Sequence, residues 1–462
     1  MKEKNDLLVI GLDGVSPELL ELEEMKDVKK LAEEGVFSPL LSTEPPVTGP
    51  AWASFQTGSK VENHGLRDFV EYDEELNPRI YSGEDISSKT FFEHLDEQGL
   101  DVFLLNLPYS FPPKIEGDVV SSFLWAGDNE YVFSSNGALE ALKSYEKSPE
   151  RYENNLKFFE EIEGIFESKK EVLEELDLNG YEFAFVLFSI TDWISHRVYG
   201  DLIRGQDNEE TKKAKELLKK VNNTVKDLSE DNEIMIISDH GFKEYEGEFR
   251  VNSWLEEQGY LEISKEGEEL GSVHEMTSNE NKFNISNLAA LLRTNEKLYS
   301  VASNIYRLLE DYLPFNVKVR DKIDLGATDA LCLSSEEMCI HIKNEEVVKN
   351  ITRDLDKLNS IQYNFKGDNL IQLSSEEYNI VSSTRKPVFT KEPVNWHHKE
   401  GIFIANGESF EEKDLDKARL IDIAPTILAH FGYKSDSDGK ILPIIKDKEL
   451  QKIGEEIGDI DF

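Results

Sequence analysis

Cysteine is nearly absent from this chain, with only Cys332 and Cys339 in 462 residues. That excludes a disulfide-stapled secreted domain, and buried reduced thiols are expected for the pair in LCLSSEEMCI, a strand-and-turn stretch. Long apolar runs are missing too. None reaches the roughly 18 residues of a membrane-spanning helix, so no membrane partner is expected. The opening MKEKNDLLVIGLDG runs from charge into a strand whose apolar run, about five residues, is short for a signal peptide. A cytoplasmic location is the expectation. Positive charge is also scarce, 51 basic residues against 93 acidic ones, a formal net charge of −42. Such a surface repels nucleic-acid backbones and anionic lipid, so no nucleic-acid polymer is expected as a partner. A small phosphoester is repelled as well, and a site handling one needs local positive charge, for which metal ions are the obvious source. There is no internal repeat or low-complexity tract, and nothing in the sequence sets an oligomeric state.

What is present is ample for packing: 39% hydrophobic and 10% aromatic residues over a length that implies two domains or one large decorated domain. Apolar runs and helical patterns alternate through the first half. LLVIGL (7–12), DVFLLNLP (101–108), YEFAFVLFS (181–189) and EIMIIS (233–238) read as strands. Stretches over about 17–34, 150–178 and 210–228 read as helices. This alternation predicts an α/β fold with a mostly parallel sheet flanked by helices, whose functional residues gather beyond the carboxyl ends of the strands. After Gly241 the texture turns to Glu, Asn, Ser and Lys, with candidate helices at 286–313 and 345–358 and strand-like MCIHIK (338–343) and NLIQLS (369–374). Residues 244–395 are therefore expected to form an inserted cap subdomain between core segments 1–243 and 396–462. The α/β texture resumes in GIFIANG (401–407) and LIDIAPTILAHFG (420–432).

Five short pieces put metal-competent side chains at strand ends. Asp13 follows the first strand in VIGLDG, and Thr48 lies in PPVTGPAWASFQTG, a loop entering a helix. Asp192 and His196 lie in SITDWISH and share a face if that turn is helical. Asp239 and His240 are adjacent in IISDHG, and His397 lies in NWHHKEG before a strand. Singly, these read as turns, caps and surface histidines. Together, three carboxylates and three imidazoles make two mixed nitrogen/oxygen sites, the chemistry of zinc or manganese. Two ions about 4 Å apart can hold the attacking and leaving oxygens of a phosphoryl transfer. A threonine hydroxyl becomes a competent nucleophile when a cation lowers its pKa.

In order and local sequence, these pieces resemble the type I phosphodiesterase/nucleotide pyrophosphatase family of the alkaline phosphatase superfamily. The likeness covers roughly 5–70, 100–125, 181–260 and 395–432, including LPYSFPPKIEGDVVSSF (107–123) and FRVNSWLEEQGYL (249–261). It implies an alkaline phosphatase-like fold, two divalent ions (zinc, with manganese as the other fit), and hydrolysis of phosphodiester or nucleotide pyrophosphate bonds. It further implies one metal held by Asp192, His196 and His397, and a second by Asp13, Asp239, His240 and the Thr48 oxygen. Thr48 would carry a covalent phospho-enzyme intermediate that water then opens.

His398 is the alternative ligand if the loop register shifts by one, though the spacing to Glu400-Gly401 favours His397. His64 in NHGLRDF matches a structural His-Gly of the family, and His94, His274, His341 and His430 read as structural. One departure bears on substrate. An asparagine that helps hold a phosphate oxygen in the pyrophosphatases is replaced here by Phe69, leaving Arg67 or Asn63 as substitutes and weakening the case for a nucleotide. Arg67 and Lys60 are the only basic residues from Leu41 through Val70, which favours a singly charged diester. The rivals on this fold are a phosphomonoesterase, a phosphomutase or a sulfatase-like relative. TGPAW lacks the Cys or Ser that sulfatases convert to formylglycine, and the mutases place their extra domain earlier in the chain. A non-catalytic binding protein has no reason to keep the full ligand set.

Overall fold

The computed structural model describes residues 6–72, 78–121, 132–133, 149, 154–176, 178–230, 232–263, 323–411, 415 and 417–446. His274 and the helix expected over 286–313 lie outside these residues.

LLVIGL forms the strand Leu7–Leu12, buried at every position, and FAFVLF does the same over Phe183–Phe188. Side chains alternate across a strand, so an unbroken apolar run requires cover on both faces. Leu8, Ile10, Ala184 and Val186 enter one core with Phe159 of the helix Asn155–Glu175 and Leu217 of the helix Glu209–Ser229. Leu7, Val9, Phe183 and Phe185 enter a second, against Trp52 of the helix Thr48–Thr57 and Ile427 of the helix Ile423–His430.

The main sheet runs in the order Ala418–Arg419, Val36–Leu41, Glu400–Asn406, Ile234–Ile237, Leu7–Leu12, Phe183–Phe188, Val102–Leu105, Asp118–Val120, Val132–Phe133. Neighbours pair in parallel except at Glu400–Asn406, antiparallel to both its neighbours, and at the Val132–Phe133 edge. The result is the expected α/β architecture, a mostly parallel sheet flanked by helices. Its central strands Ile234–Ile237, Leu7–Leu12 and Phe183–Phe188 point the same way, so their carboxyl ends open on one edge.

The helix expected over 17–34 is broken into Pro17–Leu20, a 3-10 turn Glu23–Met25, and Lys26–Glu34. The cause is a distant residue: Asn222 Oδ1 accepts from the backbone N–H of Asp27 at 2.9 Å and Val28 at 3.2 Å. A side chain on another helix thus caps the new start, and no local signal encodes it.

Beyond Gly241, the strands Ala330–Leu331, Cys339–Ile342, Leu370–Ser374 and Gln362–Phe365 form an antiparallel sheet. This sheet and the helix Val348–Leu355 share a third apolar cluster with Phe249, Trp254 and Trp396. Cys332 and Cys339 are both buried free thiols.

Candidate active site

Each of the seven sequence-derived residues arrives at the same edge by its own route. Asp13 follows Leu7–Leu12, with its N–H donating to Phe188 O at 3.2 Å and its carbonyl accepting from Thr191 Oγ1 at 2.6 Å. Gly14 then turns with φ +68, and a Cβ there would meet the Phe242 ring at 2.6 Å. The tight turn lets the Gly14 N–H reach Asp239 Oδ1 at 3.3 Å. Asp192 and His196 lie one turn apart on the helix Ile190–Ile203. His397 enters from the strand Val394–His398, opposite Phe242 of the antiparallel strand Gly241–Tyr245. Thr48 opens the helix Thr48–Thr57 and is 2% exposed.

The side chains converge. His196 Nε2 and His397 Nε2 lie 3.4 and 3.3 Å from Asp192 Oδ1, and 3.1 Å from each other. His240 Nε2 lies 3.1 Å from Thr48 Oγ1, 3.3 Å from Asp239 Oδ2 and 3.6 Å from Asp13 Oδ1. The His240 and His397 rings stack with centroids 3.8 Å apart, which brings the two groups together. His398 turns elsewhere, its Nε2 3.7 Å from Glu376.

Burial dominates the electrostatics. It lifts the carboxyls of Asp13, Asp192 and Asp239 well above the usual carboxylate range, and like charges add to this at Asp13 and Asp239. It also lowers the imidazoles of His196 and His240 well below their ordinary value and drives His397 down to about 3. Among the described residues, both oxygens of Asp192, Oδ1 of Asp13 and Oδ2 of Asp239 are buried without a hydrogen-bond partner. Unpartnered buried carboxylate oxygens beside neutral imidazoles are costly unless a cation joins them, so the donor set fits divalent metal ions. Asp192, His196 and His397 each offer a ligand atom within 4.8 Å of the others, as do Asp13, Asp192 and His240.

Sequence reading missed three neighbours. Lys169 is 2% exposed, its Nζ 5.3 Å above the Trp193 ring. Burial pushes its ammonium down to about 7, against the pull of Asp13. Its signal was spacing, since Ile162, Ile165, Phe166 and Val172 place Lys169 on the buried stripe of its helix. Glu336 is buried with Oε2 unpartnered among the described residues, and burial raises its carboxyl well above the ordinary range, aided by Asp68 and Asp192. Tyr109, inside the quoted LPYSF segment, sets its hydroxyl against Gly49. Asn63 turns outward to Asp438 at 2.7 Å.

Among solved structures, murine ectonucleotide pyrophosphatase/phosphodiesterase 5 is 12% identical over 94% of this chain and 97% of its own, with a TM-score of 0.52. An inactive form of that murine protein in complex with AMP matches at the same identity and TM-score over 98% and 100% of the two chains. Phosphonoacetate hydrolase from Sinorhizobium meliloti 1021, in complex with phosphonoformate, is 14% identical over 90% and 93%, with a TM-score of 0.51. At such identities the likeness is one of fold, the alkaline phosphatase-like one. A search of curated protein sequences returns no match. The sequence profile described as type I phosphodiesterase / nucleotide pyrophosphatase matches residues 7–380, most of the chain. By that match, this chain belongs to the type I phosphodiesterase/nucleotide pyrophosphatase family.

Proposed function

We propose that the protein is a metal-dependent hydrolase of phosphodiester bonds in small molecules, with Thr48 as its nucleophile. The observation that carries this reading is the convergence of three buried carboxyls, each with at least one oxygen unpartnered among the described residues, and three imidazoles beside Thr48, whose Oγ1 lies 3.1 Å from His240 Nε2. Asp192, His196 and His397 would hold one divalent ion, and Asp13, Asp239, His240 and Thr48 Oγ1 a second, with zinc or manganese matching the donors. Bound there, such ions supply Lewis-acid stabilisation of the attacking and leaving oxygens.

The chain's own groups position the reaction. Thr48 and Gly49 occupy the first turn of their helix, where N–H groups lack an intrahelical partner and would be available to an incoming anion. The bond from Thr48 Oγ1 to phosphorus forms as the bond to the leaving alcohol breaks, and that alcohol oxygen takes up a proton. In the second half, water attacks the same phosphorus, the Oγ1 bond breaks, and Thr48 regains its proton. The products are an alcohol and a phosphate monoester.

Nucleotide pyrophosphates are the second reading, favoured by the family and by the AMP complex of the murine relative. We assign residues 1–243 and 396–462 to the hydrolase core and 244–395 to an inserted cap, which the separate apolar cluster from Tyr245 to Trp396 supports. The two buried free thiols support a cytoplasmic location.

The test is turnover of bis(p-nitrophenyl) phosphate. Exhaustive chelation abolishes it, and zinc or manganese restores it. Thr48→Ala retains metal but loses at least about 10³-fold in kcat, while Thr48→Ser keeps part of the rate. Full turnover in metal-free protein, or in Thr48→Ala, overturns the reading.

A further inference from the structure

The turn after the strand Val102–Leu105 holds two non-glycine residues in the left-handed backbone region, Asn106 at φ 64 and Tyr109 at φ 61. Residues with a Cβ avoid that region unless surrounding contacts hold them there, and such strain gathers at functional sites. The contacts are in place. Asn106 donates from its backbone N–H to Val120 O at 2.7 Å, and from Nδ2 to Leu187 O at 3.1 Å and Ser189 Oγ at 3.2 Å. Gln56, on the Thr48 helix, donates to Pro108 O at 2.6 Å, and Ser110 Oγ donates to Leu107 O at 2.7 Å.

The turn delivers the Tyr109 phenol to the residue after Thr48. A Cβ on Gly49 would lie 2.5 Å from Tyr109 Oη and 3.2 Å from Phe69 Cδ1 and Cε1. Glycine is therefore required at 49 for the hydroxyl to come so close. Tyr109 is 3% exposed, and burial with Asp68 nearby raises its phenol well above the ordinary value, so it stays a donor at working pH. The N–H groups of Thr48 and Gly49 are the first-turn backbone donors of this helix. Pro50 carries no N–H, Phe69 offers none from its ring, and Asn63 is engaged with Asp438. A phosphoryl group under attack builds charge on its non-bridging oxygens and gains most from a donor fixed in advance.

We propose that Tyr109 Oη donates a hydrogen bond to a non-bridging oxygen of the phosphoryl group transferred to Thr48, an assignment that rests on Thr48 as nucleophile. Tyr109→Phe removes one oxygen and keeps the ring. Its kcat/KM for bis(p-nitrophenyl) phosphate falls about 10²-fold, mostly in kcat, with an unchanged thermal midpoint. The inhibition constant of orthovanadate, which presents charged oxygens in the geometry of the transferring group, rises by a comparable factor. If Thr48→Ala is inactive and Tyr109→Phe stays within about twofold of wild type, the role of Tyr109 is overturned. A fall in kcat/KM with vanadate affinity unchanged overturns it too, since the bond would be felt by both. Turnover surviving in Thr48→Ala instead removes the nucleophile reading beneath it.

Discussion

His64 is shut off from solvent between two partners on its ring: Nδ1 accepts from the Leu66 N–H at 3.2 Å, so Nε2 carries the proton shared with Ser54 Oγ at 2.9 Å. Ser54 lies on the Thr48 helix, so this neutral imidazole fastens the element that carries the candidate nucleophile. Burial lowers its pKa from 6.5 to about 4. Because the folded value is the depressed one, the unfolded chain takes up the proton first as pH falls. His64 therefore contributes its stability in full above pH 6.5 and loses it progressively toward pH 4, about 2 kcal/mol of it by pH 5. Wild type should lose that much more stability than His64→Gln between pH 7.5 and pH 5, measured by urea unfolding. An equal loss in both proteins would mean that His64 is not buried as a neutral ring. That His64 is structural was readable from the NHGLRDF motif. Its pKa was not, because the depression comes from packing.

The strand Val394–His398 decides which of two adjacent histidines joins the site. Neighbouring side chains on a strand point to opposite faces, so pairing with Gly241–Tyr245 sends one inward and one outward. His397 is 3% exposed and reaches Asp192, while His398 is partly exposed beside Glu376. His397→Ala should empty or weaken one metal site, and His398→Ala should leave metal content near wild type. Metal analysis of both variants checks this, and the reverse ranking would transfer the role to His398. The sequence left the choice to a one-residue register. The sheet partner settles which ring faces Asp192, just as Asn222 settles where the helix beginning at Lys26 starts.

At the scale of the whole chain, a formal charge of −42 opposes the approach of the anionic substrate proposed above. The Debye length shrinks from about 30 Å to about 8 Å as ionic strength rises from about 10 mM to about 150 mM. Screening of like charges should raise kcat/KM for bis(p-nitrophenyl) phosphate over that range, and raise it more for the dianionic p-nitrophenyl phosphate. At either salt level the diester should be the better substrate, because a site with few cations besides the proposed metal ions stabilises the less charged group with less help. Rates unchanged by salt would show that the surface field does not act on the substrate, rates that fall would show that the local field attracts it, and a preference for the monoester would make the protein a phosphatase.

The sequence by itself determined the layered architecture and the addresses of the seven candidate ligands. Unbroken apolar runs demand strands covered on both faces, and parallel strands bring their carboxyl ends to one edge. That much depends on near neighbours and on the geometry of a sheet. Tertiary structure alone decided that Glu336 is shut away with Oε2 unpartnered among the described residues, and that Tyr109 rests on Gly49. Each of these is fixed by contacts between segments remote in sequence, where shape and desolvation, rather than residue type or spacing, set what a side chain meets.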